Sequence, residues 1–136
     1  MSVPERCTHP RYLLTLDVRC WVYDGRSKLH AFSAQTMNIG RDGIAILCYD
    51  TPKRIQRLLS LLSRNQPVHV ELALPPDGAK IAASGRARWY EAGSTTGSRE
   101  YLVAGIHFGQ MLPQAQRQWE QFIQGSARRS VVEMVS

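Results

Sequence analysis

The sequence predicts a mainly β protein: a six-stranded antiparallel β-barrel with one inserted helix and one C-terminal helix. Three observations carry this. Apolar and polar residues alternate over several short stretches, the period of a half-buried strand. Gly, Pro, Asn and Asp separate these stretches at short spacing, as in all-β barrels. The period changes to that of a helix in only two places, about 52–64 and about 113–124.

The first strand is expected over 14–23, "LTLDVRCWVY". Leu14, Leu16, Val18, Cys20 and Val22 share one face, and Asp17 and Arg19 lie on the other. "DGRS" (24–27) marks a turn, so a hairpin into 29–38 follows. "IAILCY" (44–49) is apolar on both faces and reads as a central strand. Thr51 then caps a helix with Pro52 at its first position. Ile55, Leu58, Leu59 and Leu62 form its apolar stripe, opposite Lys53, Arg54, Gln56, Arg57 and Ser63, and Leu61 falls off the stripe. The helix is expected to stop near Asn65, ahead of Pro67, and to pack on the barrel.

"VHVELAL" (68–74) alternates again and "PPDGAK" is a turn. Strands at roughly 80–91 and 99–108 are joined by the polar loop "AGSTTGS". Leu112, Ala115, Trp119 and Phe122 trace a last helical stripe, with Ile123 beside it. Residues 1–11 are expected to be a flexible basic arm, 12–124 the barrel domain, and 125–136 a disordered tail.

A chain of 136 residues suits one domain with a real core. No apolar run approaches the roughly 18 residues of a membrane helix, so no membrane insertion is expected. The first ten residues lack the apolar region of a secretory signal. Cys7, Cys20 and Cys48 are odd in number and form no C-x-x-C, which argues against a disulfide or zinc framework. The expected compartment is the cytoplasm. A net charge of +6 favours an anionic partner: a nucleotide, phosphate, nucleic acid or an acidic protein face.

His9, His30, His69 and His107 are scattered without metal-ligand spacing. No phosphate-binding loop or nucleophile elbow occurs. Glu71 and Glu91 could face each other across strands, but nothing pairs them as acid and base. No enzymatic activity, metal or cofactor is expected.

What stands out is "MNIGRDGIAIL" (37–47), where Asn38, Gly40 and Gly43 are spaced N-x-G-x-x-G. A turn needs one glycine, not two and an amide. Arg6 and Arg11 stand just before the first strand, and guanidinium groups bond phosphate and the O6 and N7 of guanine. The strand aromatics Trp21, Tyr23, Trp89 and Tyr90 also lie near arginines, a pattern used for stacking single-stranded bases. No RNA-binding signature accompanies them, and nucleic acid is not the expected partner.

The stretches "THPRYLLTLDVRCWVYDG", "TMNIGRDGIAI", "VELALP", "GRARWY" and "GIHF", followed by a C-terminal helix, resemble a PilZ domain. The resemblance covers about residues 5–124. It implies a six-stranded barrel, and for many members binding of the second messenger cyclic di-GMP. The family does this with an R-x-x-x-R arm and a [D/N]-x-S-x-x-G segment. By that pattern Arg11 is the second arginine of the arm, meeting phosphate and guanine. Asn38 bonds a guanine edge, and Gly43 lets the chain turn tightly beside the ligand, because glycine tolerates positive φ.

Two positions depart from the pattern. Cys7 stands where the first arginine belongs, with Arg6 beside it, and Gly40 replaces the serine. Arg41 in the turn, and Arg86 or Arg88 on a later strand, are the residues that could compensate. The resemblance therefore implies one of two things. The first is a single-domain cyclic di-GMP receptor, with site residues Arg6, Arg11, Asn38, Gly40, Arg41 and Gly43, that acts in trans on a protein partner. The alternative is an adaptor that has lost the ligand and works only through protein contacts.

Overall fold

The computed structural model describes residues 10–97 and 99–135, with side chains to Ser126. The elements run β1 (Arg11–Tyr12), β2 (Asp17–Tyr23), β3 (Leu29–Gly40), β4 (Gly43–Asp50), α1 (Pro52–Ser63), β5 (Val68–Leu74), β6 (Ala79–Ser94), β7 (Glu100–Gln110) and α2 (Pro113–Val135). The six strands β2–β7 close into the expected antiparallel barrel, in the order β3, β2, β5, β6, β7, β4 and back to β3. The seventh strand, β1, adds two residues to the edge of β3.

The alternation in β2 is real: Val18, Cys20 and Val22 point into the core. The strand expected over 14–23 nevertheless begins only at Asp17, separated by a break from the short β1 that ends at Tyr12. Thr36 on β3 bridges the break. Its buried hydroxyl accepts from the Leu16 amide at 2.7 Å and donates to the Leu14 carbonyl at 2.6 Å. A side chain thus satisfies backbone groups that the interrupted ladder leaves unpaired.

The β2–β3 turn is held by Asp24, whose Oδ1 accepts from the amides of Arg26, Ser27 and Lys28. Gly25 supplies the left-handed backbone there, at φ 86°. β6 is the longest strand because it serves two neighbours, pairing with β5 through Gly85 and with β7 from Ser84 onward. At Gly85 a Cβ would lie 2.1 Å from the His107 carbonyl oxygen, so only glycine lets β6 pass from one partner to the next.

α1 begins as expected: Thr51 caps it through the Arg54 amide, and Pro52 follows. It ends with Asn65 at φ 57°, just before Pro67. Its roll differs from expectation. Ile55, Leu58, Leu61 and Leu62 are buried, while Leu59 is only half-buried. The helix tilts its Leu61 side toward the β2–β3 turn, where Arg64 Nη1 donates to the Asp24 carbonyl.

α2 also differs. Leu112 precedes the helix and is 76% exposed, so it is not part of the stripe; Met111 packs on the core instead. The helix runs through Gly125 to Val135, where a disordered tail was expected. One internal glycine costs about 1 kcal/mol relative to alanine. The buried Ser126 shows packing continuing past it.

Candidate functional site

Register assembles the candidate site. Arg11 pairs with Gly40, Gly40 with Gly43, Gly43 with His107, and His107 with Arg86. These residues form one line across β1, β3, β4, β7 and β6. A second line joins Asn38 to Ala45, Ala45 to Gly105, and Gly105 to Trp89. Between the two runs a core row, Ile39, Ile44 and Ile106, all essentially unexposed. Side chains alternate across a sheet, so both flanking lines face outward.

The outer wall of the barrel is therefore floored by small residues: Gly40, Gly43, Ala45 and Gly105. Arg11, Asn38, His107, Arg86 and Trp89 rim it. The register brings Arg11, Asn38, Gly40 and Gly43 onto this one wall. Arg6 and Cys7 lie outside the described residues.

Neither Gly40 nor Gly43 has a positive φ, so the expected tight-turn role of Gly43 does not hold. Close approach explains both. A Cβ at Gly43 would lie 2.1 Å from the Ile106 carbonyl oxygen. A Cβ at Gly40 would lie 2.8 Å from Arg11 Nη1 and 2.9 Å from Arg11 Cδ. Gly40 leaves the space through which the Arg11 side chain crosses, and Nη1 then donates to the Gly43 carbonyl at 2.8 Å.

Arg41 turns away from the wall. Its Nη2 lies 3.4 Å from Glu120 Oε2 on α2, and Gln116 donates to the same oxygen. Trp119 ties α2 to the same hairpin: its Nε1 donates to the Gly40 carbonyl at 3.1 Å. The fully buried Trp119 ring meets Phe108 edge-on at 5.8 Å and stacks with Phe122 at 6.0 Å. α2 thus fixes the position of the hairpin tip.

At the other end of the first line, a cleft of about 580 Å³ is lined by Arg86, Arg88, His107, Ser84 and Gln110, among others. Arg86 Nη1 donates to the Asn65 carbonyl beside it. Asp42 Oδ2 stands 3.9 Å from His107 Nε2. Trp89 lies against Gly105 and is 47% exposed, so part of its ring is open.

Glu71 and Glu91 do not face each other: Glu71 pairs with Ala82 and Glu91 with Val103. Among the described residues no group of three His, Cys, Asp or Glu could hold a metal. Burial raises the thiol pKa of both Cys20 and Cys48, leaving them inert as nucleophiles. Sequence reasoning missed His107, Trp119 and Glu120 as parts of the site. The one available signal was the pairing of "GIAI" with "GIHF", which sets Gly43 against His107.

No family model matches the chain, and no curated protein does. Solved structures do. The PilZ domain of Escherichia coli YcgR, solved with cyclic di-GMP, is similar at a TM-score of 0.66 and 10% identity, over 96% of this chain and 98% of that one. The Bacillus subtilis inhibitor of motility MotI/DgrA is similar at 0.63 and 17% identity, over 93% of this chain and 51% of that one. Borreliella burgdorferi PlzA, solved in complex with cyclic di-GMP, is similar at 0.57 and 9% identity, over 93% of this chain and 52% of that one. The chain thus spans about half the length of the latter two. Strand order, closure, the helix between β4 and β5, and these likenesses agree: the chain has the fold of a PilZ domain.

Proposed function

We propose that the chain is a PilZ-type signalling domain that binds cyclic di-GMP on its small-residue wall and acts in trans on a protein partner. The observation that carries this is the register line setting Arg11, Gly40 and Gly43 side by side, with Asn38 on the next line. Arg11 exchanges the Gly43 carbonyl for a phosphate or the edge of guanine, a charge-assisted and bidentate contact. The Asn38 amide reads a guanine edge. Once Arg11 moves, Gly40 lets a flat base approach the backbone, while Trp89 already covers Gly105. The open face of Trp89 offers a stacking surface, worth about 1–3 kcal/mol for a base. Arg6 extends the arm, and Arg86 and Arg88 supply further positive charge for phosphate. No catalytic role is assigned to any residue, and such a receptor acts in the cytoplasm.

The test is calorimetric titration with cyclic di-GMP, with GTP as the control. Saturable binding in the micromolar range or tighter, absent with GTP, supports the proposal. No heat at high ligand concentration overturns it and favours a second reading, an adaptor without the ligand. One arrangement favours that reading: Arg11 is bonded to Gly43 and Arg41 to Glu120, so both described arginines of the motif have internal partners.

A further inference from the structure

At the other end of β3 from Gly40, the β2–β3 turn and α1 enclose a cleft of about 460 Å³. β3 is 12 residues long, so roughly 40 Å of extended chain separates this cleft from the Gly40 end of the small-residue wall; the Arg64 end of the cleft lies next to Asn65, whose carbonyl holds the Arg86 rim. Arg26 comes from the turn, and Lys53, Gln56, Arg57, Ser60 and Arg64 come from α1. Lys53, Arg57, Ser60 and Arg64 recur at steps of four, three and four, which puts them on one helix face.

This face works against the helix that carries it. α1 contains no acidic residue, and Lys53 and Arg54 stand in its first turn. The helix dipole disfavours cations there. Lys53 and Arg57, four apart, repel each other. Arg54 is neutralised by Asp50 at 3.2 Å, but Arg26, Lys53 and Arg57 have no ion pair among the described residues. Asp24, the one carboxylate among the described residues of the cleft, is turned onto its own loop: Oδ1 takes three backbone amides, and Oδ2 lies 3.5 Å from His30 Nε2. Positive charge is therefore concentrated where it destabilises the fold and goes unmatched.

We propose that this cleft docks an acidic segment of a partner protein. Carboxylates of that segment pair with Arg26, Lys53 and Arg57, and Gln56 and Ser60 hydrogen-bond its backbone. Among the described residues, the lining holds no aromatic ring on which a nucleic-acid base could stack. α1 has no exposed large apolar side chain to enter a bilayer. An acidic peptide needs neither. The cleft shares no lining residue with the small-residue wall, and the proposal holds whether or not that wall binds a nucleotide.

The test titrates a fluorescein-labelled poly-glutamate peptide with the full chain, read by anisotropy. Saturable binding is expected. Arg57→Glu weakens it by at least about fivefold. Arg117→Glu on α2, which changes the net charge equally, leaves it unaltered. Arg57→Glu also raises the melting temperature, because it replaces a repulsive pair with an attractive one at Lys53. Arg26→Glu, outside the helix, repeats the loss of binding without touching α1. Three results overturn the proposal: no binding of the peptide, equal weakening by Arg57→Glu and Arg117→Glu, or tighter Arg57-dependent binding of single-stranded DNA or anionic vesicles than of the peptide.

Discussion

Arg11 crosses over Gly40 and donates Nη1 to the Gly43 carbonyl at 2.8 Å. The two glycines of the N-x-G-x-x-G segment are thereby tied to the arm that precedes the barrel. An arginine so placed is already oriented across the wall and needs only to exchange a neutral acceptor for an anionic one. Charged hydrogen bonds contribute roughly 1.5–3 kcal/mol. Arg11→Ala should therefore weaken cyclic di-GMP at least about tenfold. Arg11→Lys should rescue little, because an ammonium lacks the planar fork. Calorimetry on the three proteins decides this, and unchanged affinity in Arg11→Ala places the ligand elsewhere.

Gly40→Ser restores the family's serine but cannot coexist with the present Arg11 geometry. The new Cβ forces the guanidinium off the Gly43 carbonyl, and because a long side chain is what must move, the cost is small. Binding should be retained or tightened, since the hydroxyl adds a bond of roughly 0.5–1.5 kcal/mol and Arg11 is released toward the ligand. The melting temperature should drop slightly. A tenfold or greater loss of affinity would show that the crossing over Gly40 is itself part of the binding geometry.

Gly43→Ala tests a different constraint. Its Cβ would meet the backbone of Ile106, which cannot swing aside as a side chain can. The β4–β7 ladder must open, at a cost of about 1–3 kcal/mol, as for other overpacking changes. Urea unfolding without ligand should show this loss, separating the glycine's structural role from any ligand contact.

Thr36→Val should destabilise by about 1–3 kcal/mol. The substitution keeps the shape but strips the Leu16 amide of its acceptor and the Leu14 carbonyl of its donor. Thr36→Ser should recover most of the loss. Both follow from urea midpoints at constant m-value.

Cys20 and Cys48 predict an alkaline loss of stability. Burial raises both thiol pKa values in the folded chain, with Cys48 adding to the shift of Cys20 and Asp50 to that of Cys48. Unfolded thiols ionise near pH ~8.5. Above that pH the unfolded chain binds fewer protons than the folded one, so stability falls as pH rises. Between pH ~8 and ~10, Cys20→Ala should show a shallower decline than the parent, measured by urea unfolding. Peptide mapping after brief alkylation of the native protein should find both thiols protected.

Much of the fold was legible because its signals are local. Val18, Cys20 and Val22 alternate whatever they face. Thr51 and Pro52 start a helix by capping chemistry alone, and Asn65 ends it with a left-handed backbone. The roll of α1 was not legible, since Leu59 and Leu61 flank the Ile55, Leu58 and Leu62 stripe on opposite sides, and the neighbouring barrel, not the pattern, selects Leu61. Nor was the continuation of α2 through Gly125, where a weak local penalty yields to packing.

The candidate site divides the same way. The sequence by itself determined that an arginine arm, an amide and two glycines occur in an order resembling a PilZ domain, because those residue types and spacings are properties of the chain. Only the tertiary structure decided what they touch. Register across five strands set Arg11, Gly40, Gly43, His107 and Arg86 in one line, brought Trp119 to the Gly40 carbonyl, and turned Arg41 to Glu120. Apart from the Gly40–Gly43 pair of the hairpin, these partners are far apart in sequence, and barrel closure is the physical event that brings them together.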